Sequence, residues 1–368
     1  MRRFLRSPLA NAQVRRGTAR GVLGSLAVIA GCSGRIDNGG LVPVSGGGVG
    51  GNDAATNAGS SAGGSSGSLL LDVDVSGVAR STGCGRPAPV AQEFAKYTAY
   101  TMHVTGRTLD PSFSVAAHDR GYYVWLPKDY DAAKAYRVTF LFMGCGDRNA
   151  AATATYKLMI KDPESIYVAM NMPPAGFPPD GRDCYDSYTG KQSIEWEFMG
   201  LVGSEIQQLF CVDENRLFVA GYSSGAWVSN MFGCYFAGRD PGRKFGSDIA
   251  IRGQTTDTGG PVQPDVPCGG KVAALWMHDV DDRENVISGN ILVSLPRVLA
   301  VNGCTGGAQG PTAPWGSTPN LSDICQQYTA CPPDYPVIFC TTIGKAQSSQ
   351  DDLTLPGFIE FQNLMNAN

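Results

Sequence analysis

Histidine is the scarcest reactive residue in this 368-residue chain: there are three, His103, His118 and His278. Any chemistry that needs an imidazole base must draw on one of these. No C-x-x-C pair occurs, so the usual zinc spacing is missing, and neither a metal nor a cofactor is expected. No apolar run approaches the roughly 20 residues of a spanning helix. Past residue 31 there is no basic run, which leaves nucleic-acid binding without support.

What is present starts with an arginine-rich leader. Residues 1–31 carry six arginines and no acid, then the short apolar run "VLGSLAVIAGC". A basic segment, a short apolar stretch and small residues read as a secretory signal. Ile29-Ala30-Gly31-Cys32 resembles a bacterial lipobox, which implies cleavage before Cys32 and lipid attachment to its thiol. A non-lipidated signal cut nearby is the alternative. Without the leader, Lys+Arg falls from 29 to 23 against 33 Asp+Glu, and the net charge moves from −4 to −10.

Eleven cysteines become ten if Cys32 is lipidated, an even set that implies disulfides in an exported chain. Because they bracket one strand–turn–helix unit, Cys211 and Cys234 are the one pairing expected. Residues 32–72 form a Gly/Ser-rich tether that cannot bury enough surface to offset chain entropy. Residues 73–368 are the folded domain. There, runs such as "GYYVWLP" (121–127), "RVTFLF" (137–142), "SIYVAM" (165–170), "RLFVAG" (216–221), "DIAIRG" (248–253), "VAALWMH" (272–278) and "YPVIFC" (335–340) predict strands. Helices are predicted over 193–210, 225–236, 293–303 and 355–365. Near-continuous apolar strands alternating with helices predict an α/β fold, with a mostly parallel central sheet covered by helices on both faces.

The pattern G-x-S-x-G occurs three times. Two copies, at 59–63 and 63–67, lie in the tether, where no strand precedes and no helix follows. The third, Gly221-Tyr222-Ser223-Ser224-Gly225, joins a strand to a helix, as a nucleophile elbow requires. Ser223 is therefore the candidate nucleophile, and a serine hydroxyl needs an adjacent base.

With "CVDENRLFVAGYSSGAW" (211–227), the ordered segments "GCGRPAP" (83–89), "YYVWLPKDYDAAKAYRVTFLFMGCGD" (122–147), "HDVDD" (278–282), "NGC" (302–304) and "YPVIFCTTIGKAQSSQD" (335–351) resemble the secreted polyhydroxybutyrate depolymerase and feruloyl esterase family of α/β-hydrolases. The resemblance runs from about residue 80 to the end. It implies an α/β-hydrolase fold, with Ser223 as nucleophile and an oxyanion hole formed by Gly144, Cys145 and Ser224. Asp282 would be the triad acid. Asp279, Asp281 and Glu284 crowd the same stretch, and a solvated acidic loop is the plainer reading of it. It lacks the glycine spacing of a calcium loop.

Two departures mark the chain. Met143 stands where the family has histidine, and the position expected of the catalytic histidine is Gln347, whose amide has no useful basicity. Lys345 and His278 are the substitute bases within the sequence. Two readings stay open: a lipid-anchored or extracellular monomeric ester hydrolase acting on a plant polysaccharide ester or a polyester, and an impaired hydrolase-fold lipoprotein that binds a polysaccharide or other ligand. Tyr185, Tyr188 and Trp227 are candidates to stack on a phenolic ring.

Overall fold

The computed structural model describes residues 77–105, 107–110, 113–146, 162–174, 184–187, 190, 193–257, 266–283, 285–287, 291–344 and 351–365. The chain divides into two units, Met1–Gly50 and Gly51–Asn368, and all described residues belong to the second. The expected signal, Cys32, the tether, Tyr188, Glu284, Lys345 and Gln347 lie outside the described residues.

In chain order the elements are β1 (Tyr97–Val104), β2 (Arg107–Asp110), β3 (Phe113–Val115), β4 (His118–Trp125), β5 (Tyr136–Phe142), β6 (Ser165–Met170), α1 (Glu195–Leu209) and β7 (Val212–Tyr222). Then come α2 (Ser224–Tyr235), β8 (Ile251–Asp257), β9 (Ala273–Asp279), α3 (Ile291–Asn302), β10 (Thr312–Pro314), α4 (Pro319–Ser322), β11 (Cys325–Tyr328), β12 (Val337–Thr342) and α5 (Asp351–Leu364). Strands β2 and β3 form a separate hairpin, and the other ten make one sheet in the order β1-β4-β6-β5-β7-β8-β9-β12-β11-β10. The run from β6 to β12 is parallel, and the flanking pairs at both ends are antiparallel.

Every residue of β5, β6, β8 and β9 is buried; β5, β6 and β9 accordingly read as mostly apolar runs, whereas β8 buries Arg252, Gln254, Thr255, Thr256 and Asp257. On one face Phe140, Phe142 and Val219 pack with Trp196 and Ile206 of α1 and Phe232 of α2. Further along that face, Ala274 and Trp276 meet Leu295 and Val298 of α3. On the other face Leu141, Phe218 and Met277 pack with Phe358 and Phe361 of α5.

The chain leaves β5 toward β6 on one side, whereas β7, β8, β9 and β12 follow one another on the opposite side. The strand order therefore reverses between β5 and β7. In an open α/β sheet, the crevice outside the carboxyl ends of the strands at such a reversal is where ligands bind. This is the α/β-hydrolase fold expected from the sequence, with the strand–helix turn of Ser223 at the end of β7.

Candidate active site

Ser223 sits between β7 and α2 with φ 52° and ψ −121°. Ala95 is the other non-glycine residue with positive φ among the described residues. A serine in this region is strained, by about 1–3 kcal/mol, and persists only where its surroundings impose it. Two glycines do so. A Cβ on Gly221 would lie 2.2 Å from the Gly225 carbonyl oxygen, and one on Gly225 would lie 2.2 Å from the Phe142 oxygen. Strand, helix and the end of β5 are thus too close for side chains, and the chain at position 223 is turned outward. The Ser223 N–H donates to Asp257 O at 3.1 Å, and its carbonyl accepts from Ala226 and Trp227 N–H. The residue is half-buried.

The loop after β5 lies directly against this turn. A Cβ on Gly144 would stand 3.3 Å from Ser223 Cβ and from the Tyr222 ring. The Ser224 hydroxyl donates to Met143 O at 3.2 Å. Ser224 begins α2, so its N–H has no intrahelical acceptor. No hydrogen bond among the described residues uses the N–H groups of Gly144, Cys145 or Ser224. A disulfide joins Cys145 to Cys184. The next residue, Tyr185, accepts the Met143 N–H at 3.4 Å and donates to Met170 O at 2.6 Å. Tyr185 is buried beneath the loop, so it packs as a support and presents no face to a phenolic ring.

The acidic stretch after β9 resolves into distinct partners. Asp279 accepts the Thr342 hydroxyl at 3.0 Å and the Asp281 N–H at 2.8 Å. Asp281 is exposed and accepts the Gly344 N–H at 3.1 Å. Asp282 is buried and accepts the Asn285 N–H at 2.9 Å. Asn285, which the sequence did not single out, is the hinge of this loop. Its carbonyl accepts from His278 Nε2 at 2.6 Å, and its side-chain oxygen accepts the Trp227 indole N–H at 3.0 Å. Trp227 belongs to the first turn of α2, so the acid loop is fastened to the helix that follows Ser223. No sequence signal marks Asn285, because its role depends on two elements distant in the chain.

All three histidines are engaged. His103 and His118 lie on β1 and β4 at the far edge of the sheet, with His103 Nδ1 2.9 Å from Asp119 and His118 Nδ1 3.0 Å from Ala116 O. His278 is wholly buried. Donation to the Asn285 carbonyl places its proton on Nε2. Burial pushes its pKa below the ordinary 6.5, against smaller upward effects of Asn285, Asp282 and Asp279.

The ten cysteines past Cys32 form five disulfides: 84–211, 145–184, 234–268, 304–331 and 325–340. The expected Cys211–Cys234 pairing is corrected. Ser81 N–H donates to Val212 O and Gly83 N–H to Gln207 O, which carries Cys84 to within 3.9 Å (Cα–Cα) of Cys211. Cys234 instead meets Cys268, whose neighbour Gly269 donates its N–H to the Cys234 carbonyl.

No family model and no curated protein matches the chain. Solved structures similar to it include a thermostable esterase, at 15% identity over 74% of this chain and 62% of that one, with a TM-score of 0.44. A ferulic acid esterase is 14% identical over 74% of this chain and 99% of its own, at 0.43. The CE1 ferulic acid esterase AmCE1/Fae1A of the anaerobic fungus Anaeromyces mucronatus is 13% identical over 79% and 100%, at 0.44. The chain spans less than two thirds of the thermostable esterase and the full length of the fungal enzyme. At such identities these likenesses say nothing of what the chain acts on, and its chemistry rests on the geometry around Ser223.

Proposed function

We propose that this protein is an exported serine carboxylic-ester hydrolase. Ser223 Oγ attacks the ester carbonyl while the N–H groups of Ser224 and the Gly144-Cys145 turn hold the developing oxyanion. The alcohol leaves, and water then releases the acid from the acyl-serine. The Ser223 proton passes to a base that Asp282 orients, His278 or Lys345 among the substitutes in the sequence, and from that base to the departing alkoxide. One observation supports this reading above the rest: a strained serine at the strand reversal, with a glycine turn so close that a Cβ on Gly144 would stand 3.3 Å from the serine Cβ. Each oxyanion donor in such a hole lowers the barrier by about 3–4 kcal/mol. The substrate class is an ester borne on a polysaccharide or a polyester. Five disulfides are compatible with export, and lipid attachment at Cys32 would hold the domain at a membrane. A fluorophosphonate probe tests the nucleophile: it should label Ser223 and leave Ser223→Ala unmodified. Absence of label on the unaltered protein sinks the proposal.

A second reading, a hydrolase fold that binds its ligand without cleaving it, is favoured by the engagement of all three histidines. Loss of a triad member lowers turnover by about 10⁴ to 10⁶-fold. On this reading Gln347→His raises p-nitrophenyl acetate turnover by several orders of magnitude. Brisk turnover by the unaltered protein rules it out.

A further inference from the structure

At the end of the sheet remote from β1, strands β12, β11 and β10 run antiparallel to one another. Register places Thr312 opposite Tyr328 and Gln326 opposite Phe339, and the Thr341 N–H donates to Ile324 O. Side chains opposite one another, or two apart along a strand, share a face. These six therefore form one surface, and with the 308–310 turn as a wall they line a groove of about 340 Å³. Tyr328 and Phe339 are backed by the α3 core.

No lining side chain is charged. Among the described residues, the Gln309 and Gln326 amides and the Thr312, Thr341 and Tyr328 hydroxyls make no hydrogen bond to another protein group. Five hydrogen-bonding side chains thus converge on one groove with their capacity unused by the fold. We propose that this groove binds an uncharged carbohydrate chain, its amides and hydroxyls pairing with sugar hydroxyls while half-buried Phe339 packs against the C–H faces of the rings and Tyr328, whose ring is buried, offers its hydroxyl.

Charge and desolvation select this occupant. The chain is acidic, −4 overall, and the groove offers no cation to hold a carboxylate or sulfate. An apolar polymer would strip water from the five polar groups and leave them unpaired. A neutral polyol satisfies them. Beyond the groove, β12 runs to Thr342 and Gly344, which bond Asp279 and Asp281 of the acid loop. Strands lie about 4.8 Å apart, so the groove is about 14–24 Å across the sheet from β7. The inference rests on no part of the ester-cleavage reading.

Native affinity gels carrying neutral arabinoxylan, galactomannan or mixed-linkage β-glucan test it, with polygalacturonate as the charged comparison. Ser223→Ala protein is used throughout, so that turnover plays no part. Retardation by at least one neutral glycan and none by polygalacturonate is expected. Gln309→Ala with Gln326→Ala should weaken retention by about ten-fold, the loss of one or two hydrogen bonds, with an unchanged melting temperature. Exposed Gln309 on its turn supplies a second, single variant that cannot disturb the sheet. Unretarded migration in every neutral glycan, equal retardation by polygalacturonate, or full retention of the double variant overturns the proposal.

Discussion

Ser223 carries its strain in the backbone, and that strain can be measured apart from any activity. Glycine adopts φ 52° without a Cβ clash, whereas alanine keeps the clash and lacks the hydroxyl. Against this, glycine widens the unfolded ensemble by up to about 1 kcal/mol. Ser223→Gly is therefore expected to be more stable than Ser223→Ala by about 1 kcal/mol in urea denaturation. Equal midpoints would mean that the elbow is relaxed. His278 supplies a second residue-level prediction. Its folded pKa lies below the unfolded 6.5 because the charged ring is costly to bury. The unfolded chain then takes up a proton that the folded protein refuses. Stability is full above about pH 7 and falls as the pH drops through 6.5. Melting temperatures should decline between pH 7 and pH 5, and His278→Gln, which keeps a donor for the Asn285 carbonyl, should flatten that decline. A slope unchanged by the substitution would assign the effect elsewhere.

Between elements, the junction of β4 with α1 depends on one buried ion pair. Arg120 Nη2 lies 2.6 Å from Glu195 Oε2, each about 1% exposed, and the guanidinium stacks 4.0 Å over the Phe198 ring. Glu195 also accepts the Asp186 N–H at 3.0 Å, so the pair steadies the segment that carries Cys184 and Tyr185 under the 143–145 loop. Burial pushes the Glu195 pKa up, and Arg120 opposes that rise. Arg120→Met should cost about 3–5 kcal/mol by leaving a buried carboxylate without its partner. Adding Glu195→Leu should restore part of it; simple additivity in the double-mutant cycle would show that the two charges are not coupled. The elements themselves were largely legible. Strand β6 and helices α1 and α2 fall within two residues of their predicted spans, because long apolar or 3.6-periodic runs have few alternatives. Strand β8 was predicted at 248–253 and lies at Ile251–Asp257. Its Gln254, Thr255 and Thr256 look like a loop in sequence, yet they are buried, and the Gln254 amide donates to Asn230 of α2. The edge strands β1 and β10, and the four-residue β11 next to β10, escaped notice because they are short or carry mixed, half-exposed residues with no clear period.

At the scale of the whole molecule, the disulfides decide what composition could only count. Ten thiols implied bridges, but the pairing depended on which loops the fold brings together, and that is set by contacts distant in sequence. The candidate site divides in the same way. Ser223 was readable from local glycine spacing, and Ser224 and Gly144 were implied by the family resemblance, whereas Asn285 and Tyr185 became visible only once β5, α2 and the acid loop were assembled. The bridges also differ in what they contribute. Cys84–Cys211 spans 127 residues and ties the 77–86 segment to the start of β7, while Cys325–Cys340 spans 15 and joins two strands already paired in register. If a crosslink acts mainly by restricting the unfolded chain, the long bridge contributes about 5 kcal/mol and the short one about 3. Replacing Cys84 and Cys211 with serine should then lower the unfolding free energy by about 2 kcal/mol more than replacing Cys325 and Cys340. Urea denaturation of the two double variants reads the difference. Should the short bridge prove the costlier loss, the ranking reverses, and burial of the Cys325 and Cys340 sulfurs in the α5 core would outweigh chain entropy.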